Sequence, residues 1–377
     1  MRAFNLSNIV SSTLVSAPPA KKASVTHANN FHFLRLLFAT FVIITHSYAL
    51  LGLPEEDVLY QLTGGQVSFT FLAVPGFMVL SGLLITKSMM RSNSLVDYFY
   101  KRALRIFPGL WTVLMIMAGV CFFVSNKSAV QYFSHYTVRD YVFFSGLLRM
   151  QYEIDGVFKQ LPWHLINGSL WTIPVEVFMY IVLASTWYIR KNTRAMLVVM
   201  VLAFVGLLAA RFLLYANANP ATEAGLGFWL LKPSQVVHLA LYFVGGAIWA
   251  LLPLPTERRR NLLAGSAFVV FFGLVLSLPH MAWTSYFLFP LILVPLGSLA
   301  YPGISALPRF GDISYGVYLW GWPVQQLLIY YFHPSYLQLV IFSIIGAYIM
   351  GYLSWKLVEE RALRLKLRLP DAPAGPL

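Results

Sequence analysis

Cysteine is almost missing from this chain: of 377 residues only Cys121 carries a thiol. A single cysteine closes no internal disulfide and builds no multi-cysteine metal site, so the redox compartment is left open. Charge is scarce as well, with Asp, Glu, Lys and Arg together at 11% and hydrophobic residues at 58%. Soluble domains carry roughly 25% charged residues, so ordinary water-soluble domains are excluded. A mean hydropathy of +0.68 points the same way. Acidic residues are the rarer charged class, 14 against 27 Lys and Arg, giving a formal net charge of +13. The basic residues stand in short clusters between apolar runs, where membrane topology accounts for them, and no nucleic-acid partner is expected. His32, His164, His238, His280 and His333 lack any HExxH-like spacing, and no metal is expected. The glycines of VPGFMVLSGLLI are followed by no Gly-Lys-Ser/Thr, which removes a phosphate loop and leaves a packing role. No fixed-period repeat is visible, which argues against a transporter built from internal repeats.

What is present is a succession of long apolar runs. Ten approach spanning length, over residues 31–52, 66–86, 107–125, 168–189, 195–215, 235–252, 261–278, 284–301, 313–332 and 337–356. The expected fold is all-α, a polytopic membrane protein of about ten transmembrane helices. Residues 1–30 form a loose tail, 31–356 the transmembrane domain, and 357–377 a basic tail. Lysines and arginines concentrate in the first tail, after the second run (Lys87, Arg91, Lys101, Arg102, Arg105), at Arg190 to Arg194, at Arg258 to Arg260 and in the last tail. Positive loops resist translocation, so both termini are expected on the cytoplasmic side of a bacterial inner membrane. Residues 126–167 form the one long outer segment. Its run YVFFSGLLRM is too short to cross and is expected to lie at the interface or to re-enter. Asp140, Glu153, Asp155, Trp163 and His164 give that segment a surface suited to carbohydrate or, equally, to anchoring at the membrane.

Ionisable groups inside a span are costly and raise a functional question. Among the acidic residues only Glu176, in GSLWTIPVEVFMY, falls well inside an apolar run. The first run supplies Arg35 and His46. Eleven residues turn a helix by about 1100°, some 20° past three turns, with a rise of roughly 16 Å, so both side chains share one face at different depths. A neutral imidazole is suited to removing a hydroxyl proton as that oxygen attacks an acyl group. Glu176 would orient His46, stabilise its protonated form or grip an acceptor hydroxyl. The alternatives are a histidine hydrogen-bonded between helices and a structural ion pair of Glu176 with Arg35. Lys101, Arg102 and Arg105 precede a membrane-entering helix. The offset of three puts both arginines on one face, suited to the phosphates of a nucleotide-like donor, or to simple positive-inside anchoring.

These segments, in this order, resemble acyltransferase family 3 of membrane proteins. The likeness lies in FLRLLFATFVIITH with ten residues between its arginine and histidine, in FMVLSGLLITKS followed by KRALRIFP, in NGSLWTIPVEVFMY and in ISYGVYLWGWPV, and it covers about Phe31 to Glu360. The resemblance implies an O-acyltransferase that moves acyl, usually acetyl, groups from cytoplasmic acyl-CoA to hydroxyls of surface, exported or lipid-linked carbohydrates. Arg35 and His46 match the motif pair, Arg102 and Arg105 the arginines after the second helix, and Glu176 the acid of the SLWTxPVE segment. No permanently bound cofactor is implied; acetyl-CoA is the donor substrate, and polysaccharide-synthesis proteins are expected partners, any periplasmic one being a separate chain. Two departures stand out. His32 replaces an aspartate that often precedes the motif arginine by three, and Gly321 replaces a histidine of the YLWHxP segment, which suggests a different acceptor. The rival function is a transporter in which His46 and Glu176 form a proton relay.

Overall fold

The computed structural model describes residues 29–301, 304 and 311–365. The two tails outside these limits, with Arg2, Lys21, Lys22, Lys366 and Arg368, and the loop residue Arg309 lie outside the described residues. Within them every one of the ten apolar runs is helical and no strand forms. The helices are α1 (Phe31–Leu50), α2 (Phe69–Arg91), α3 (Leu95–Val120), α4 (Thr172–Ala184), α5 (Thr193–Leu213), α6 (Pro233–Leu251), α7 (Glu257–Ser277), α8 (Ser285–Gly297), α9 (Ser314–Phe332) and α10 (Tyr336–Ser354).

Among the described residues, seven helices are long and apolar enough to cross a membrane, which makes this a multi-pass membrane protein. The other three explain why a count by hydropathy runs ahead of helix length. With its preceding turn, α4 covers only Gly168–Ala184, and α8 covers Ala282–Gly297 with Pro290 and Pro295 inside it. Nineteen residues long, α9 is diluted by Gln325, Gln326 and several Trp and Tyr side chains.

Contacts between helix ends fix how the helices alternate. At one end of the bundle Asn30 N donates to Gly297 O at 2.8 Å and Arg260 Nη1 to Ser298 O at 2.7 Å. At the other, Tyr48 lies against Tyr336, and Gln66 spans to Leu278 and Met281. These are called below the arginine end and the histidine end, after the two residues of α1 nearest each.

Lipid offers no hydrophobic gain for bringing two apolar helices together, so close approach must come from small residues and polar contacts. That approach occurs where α2 crosses α6. A Cβ on Gly82 would stand 1.8 Å from Phe243 O, and one on Gly246 would stand 2.0 Å from Val79 O, so any larger side chain would force the helices apart. Toward the periphery, α5 buries only Met196 and Met200, leaving a face of exposed Val, Leu and Phe for lipid.

Residues 126–167 fold into two short helices, Ala129–Phe133 and Tyr136–Gly146, then an irregular stretch wedged against α1 and α9. Backbone polar groups at membrane depth need partners. Side chains provide them here: Gln326 Nε2 donates to the carbonyls of Trp163 and Leu165, both at 2.7 Å, Trp322 Nε1 donates to Leu165 O at 3.1 Å, and Asn167 Nδ2 donates to Leu319 O at 2.9 Å. Gln326 and Trp322, which lower the hydropathy of α9, thus hold this segment in place, while Gln325 ties α9 to α1 through Ile43 O and Ser47 Oγ.

Candidate active site

Arg35 lies in the second turn of α1, with Asp312 just before α9 beside it. Its Nη2 is 2.9 Å from Asp312 Oδ2 and 3.2 Å from His32 Nδ1. Arg105, from α3, reaches the same oxygen at 2.7 Å. Two guanidinium groups therefore share one carboxylate. Burial alone would raise the Asp312 carboxyl, but Arg105 and Arg35 hold it well below the usual carboxylate range. A second acid completes the cluster. Beyond Ser354 the chain makes a π-turn, Trp355–Glu359, which brings buried Glu359 within 3.6 Å of Arg105 Nη1. The rings of Tyr315 and Trp355 flank that guanidinium at 5.5 and 5.9 Å. The carboxylate that His32 fails to provide for Arg35 comes from a distant part of the chain.

All of these groups except Glu359 line a cavity of about 500 Å³. It runs from Arg91 and Leu363 at the arginine end, past Arg35, Arg102 and Arg105, to Val74, Thr172 and Tyr318. Glu176 lines it from α4. Its Oε1 accepts from Ser81 Oγ and Tyr180 Oη, both at 2.5 Å, so the acid is held by hydroxyls of α2 and of its own helix. Arg102 is less committed than Arg105. It donates from Nη2 to Ser88 Oγ at 3.3 Å, and its buried Nε has no hydrogen-bond partner among the described residues. The offset of three does bring both arginines to one cavity. Lys101 points elsewhere, paired at 2.5 Å with Asp97 one turn back, and it does not line the cavity.

His46 is not part of the cavity lining. It faces α9, as Arg35 faces Asp312 at the foot of α9, so the shared face of α1 is observed. The His46 ring meets the Trp322 ring edge-on, centroids 5.0 Å apart, and its Nδ1 lies 4.0 Å from Glu55 Oε1 in the loop after α1. That nitrogen is buried without a hydrogen bond among the described residues. Burial and neighbouring Asp57 raise the half-exposed Glu55 carboxyl above its ordinary value. Of the alternatives the sequence offers for Glu176, a direct pairing with His46 is not formed, because Glu176 sits in the cavity and Glu55 is the acid beside the histidine. Neither does Glu176 bond directly to Arg35, whose carboxylate partner is Asp312.

A layer of side chains separates the two locations. Tyr318 has one hydroxyl proton, which it donates to Ser169 O at 2.6 Å, so at 2.7 Å it accepts from Thr172 Oγ1. One turn further along α9, Trp322 fits over Gly168, where a Cβ would come within 2.5 Å of the indole. Gly321 packs against α1, and a Cβ there would meet Ile43 at 2.9 Å, so the histidine of the resembling motif would have to displace Ile43. Two acids of residues 126–167 are engaged otherwise. Asp155 pairs with Lys127 at 2.6 Å and Lys159 at 2.9 Å, Asp140 with Arg139 at 3.1 Å, and Trp163 donates to Ala49 O at 2.8 Å. Among the described residues no group of His, Cys, Asp and Glu is arranged to hold a metal ion.

Asp312, Glu359 and Glu55 escaped the reading of the sequence. Each lies in a loop or past a helix end, where hydropathy gives a carboxylate no distinction. The signal available for Asp312 was the need of Arg35 and Arg105 for a counter-charge.

Residues 29–355 match the sequence model of a family described as an acyltransferase domain. Over 344 residues, 89% of this chain and 96% of the relative, the sequence is 31% identical to a protein of Shigella phage Sf6 named O-acetyl transferase. Over 370 residues, 93% of this chain and 97% of the relative, it is 28% identical to Nodulation protein 10 of Rhizobium leguminosarum bv. viciae. No solved structure matches the chain significantly.

Proposed function

Because this chain belongs to acyltransferase family 3, we propose that it is an integral membrane O-acetyltransferase that moves an acetyl group from acetyl-CoA to a hydroxyl of a surface, exported or lipid-linked carbohydrate. The observation that carries this reading is the arginine-rich cavity, in which Arg35, Arg102 and Arg105 from two helices converge with Glu176. Guanidinium groups in a partly desolvated recess suit phosphates, and Arg102 has unused hydrogen-bonding capacity. The donor enters at the arginine end with its phosphates on Arg102 and Arg105, while Lys101, paired with Asp97, stays outside the cavity. Its thioester arm points along the cavity toward Thr172 and Tyr318.

His46 is the base. Its imidazole takes the proton of the acceptor hydroxyl as that oxygen attacks the thioester carbonyl. The C–S bond breaks as the C–O bond forms, and the protonated histidine returns its proton to the departing thiolate. Arg35 and Glu176 act from the cavity, Arg35 shaping the donor site through its pair with Asp312 and Glu176 ordering the hydroxyls of Ser81 and Tyr180. All ten helices pass through or into a bacterial cytoplasmic membrane, both termini lie in the cytoplasm, and the histidine end faces outward. A proton relay through His46 and Glu176 has no support in their positions, since Glu176 is held by Ser81 and Tyr180 while the acid nearest His46 is Glu55.

The test uses the purified full chain in detergent, radiolabelled acetyl-CoA and surface polysaccharide extracted from a strain lacking the gene. Label in the polysaccharide is the expected result. Neither transfer nor acetyl-CoA consumption would overturn the reading, and acetyl-CoA crossing a sealed vesicle unchanged would favour a transporter.

A further inference from the structure

A second cavity, of about 270 Å³, lies at the histidine end. Its walls include Tyr152 of the outer segment, Trp171 just before α4, Trp229 and Lys232 of the loop between α5 and α6, and Gln235 in the first turn of α6. This volume falls just under the roughly 300–1,000 Å³ typical of pockets for drug-sized ligands, so it suits one small ring rather than an extended chain.

The chemistry of the walls is specific. Two indoles and a phenol offer flat apolar faces with polar edges. The indole nitrogens of Trp171 and Trp229, the Tyr152 hydroxyl and the Gln235 amide make no hydrogen bond among the described residues, although all four side chains are half-buried. Lys232 uses its ammonium on Pro220 O, which leaves donors to spare. Half-buried polar groups without protein partners, set around flat apolar surfaces, match a ligand that has apolar ring faces and a rim of hydroxyls. A pyranose has that form.

The loop that carries Trp229 is fixed in place. Leu226 and Leu231 exchange backbone hydrogen bonds of 2.8 and 3.0 Å, and Glu223 accepts from Ser234 N at the start of α6. Arg149 stacks on both Phe144 and Phe228, tying this loop to the outer segment. The location suits transfer too. Helix α4 is a shared wall, with Trp171, Pro174 and Val175 on this cavity and Thr172, Ile173 and Glu176 on the arginine-lined one. The stretch from Tyr152 also leads to the histidine: Tyr152 O accepts from Ile166 N at 2.7 Å, and neighbouring Leu165 O accepts from Trp322, which contacts His46.

We infer that the pocket formed by Tyr152, Trp171, Trp229, Lys232 and Gln235 holds one pyranose unit of the carbohydrate acceptor. The inference rests on the acetyltransferase reading, and the experiment separates the two. The full chain, labelled with 5-fluorotryptophan, is followed by fluorine NMR, with the Trp171 and Trp229 signals assigned by their loss in Trp171→Phe and Trp229→Phe. Unmodified polysaccharide from the deletion strain should shift both signals, and phosphatidylethanolamine–phosphatidylglycerol vesicles should not. In transfer assays Trp229→Ala and Gln235→Ala should each raise the polysaccharide KM at least tenfold, with kcat and the acetyl-CoA KM changing less than twofold. A subtler Trp229→Phe keeps the assay informative should the alanine variant misfold, with an expected three- to fivefold rise. Transfer by the wild-type protein with neither signal shifted, or signals that answer to lipid alone, would overturn the inference while leaving the acetyltransferase reading intact. Shifts with polysaccharide but no transfer would support the pocket and refute the reading.

Discussion

The two ends of α1 treat their ionisable groups in opposite ways. At the arginine end charge is matched: Arg35 and Arg105 share Asp312, Glu359 backs Arg105, and aromatic rings pack beside the guanidinium. At the histidine end charge is withheld. His46 keeps a buried nitrogen with no hydrogen bond, an acid 4.0 Å away and an indole edge for company. A paired buried charge holds a site in shape, whereas a ring nitrogen that no protein group engages is open to a substrate hydroxyl. The difference assigns binding and shape to one end and proton transfer to the other.

The largest effect should come from the histidine end. His46→Ala and His46→Gln should lower kcat for acetyl transfer by about 100-fold or more while the protein remains folded and membrane-inserted, as read by size exclusion and circular dichroism. Near-normal turnover in both variants would remove the distinction between the ends.

Breaking the charge matching should register as stability. Asp312→Ala leaves two buried guanidinium groups without their shared carboxylate, and removing one partner of a buried pair costs about 3–5 kcal/mol. A lowered thermal midpoint of the purified protein and reduced yield in membranes are expected. Asp312→Asn, which keeps the shape, should lose less. If both variants melt like the wild type, the cluster does not hold the arginine end together.

Arg102 tests donor binding with the least structural cost, since its one observed hydrogen bond is a long one to Ser88. A charged hydrogen bond to phosphate is worth about 1.5–3 kcal/mol, so Arg102→Ala should raise the donor KM by roughly 10- to 100-fold with a smaller change in kcat. Lysine should restore only part of this, since it keeps the charge without the fork. Smallest of all, Lys101→Ala should change the donor KM less than about threefold, because pairs at this helical spacing contribute only about 0.3–0.5 kcal/mol.

The long-range order of the fold was legible in composition alone: each apolar run is a helix, and the Arg35 to His46 spacing does place both on the α9 side. Span length was less legible, because Pro290 and Pro295 shorten α8 and the prelude to α4 is a turn. What the sequence hid was pairing. Asp312 and Glu359 look like ordinary loop and tail acids until the bundle closes and buries them against α3. Glu176 drew attention as the one acid in an apolar run, yet hydroxyls of Ser81 and Tyr180 satisfy it, while the acid next to His46 comes from a loop. Of the residues in 126–167 that suit carbohydrate or membrane anchoring, Asp140 and Asp155 stand in ion pairs and Trp163 bonds to α1, and the aromatic pocket draws on three separate segments.

The most direct test of the division between the two ends is calorimetric titration of CoA into the purified full chain and its variants. His46→Ala should bind CoA as the wild type does, and Arg102→Ala should bind at least tenfold more weakly. Lost binding in His46→Ala, or unchanged binding in Arg102→Ala together with Arg105→Lys, would contradict it.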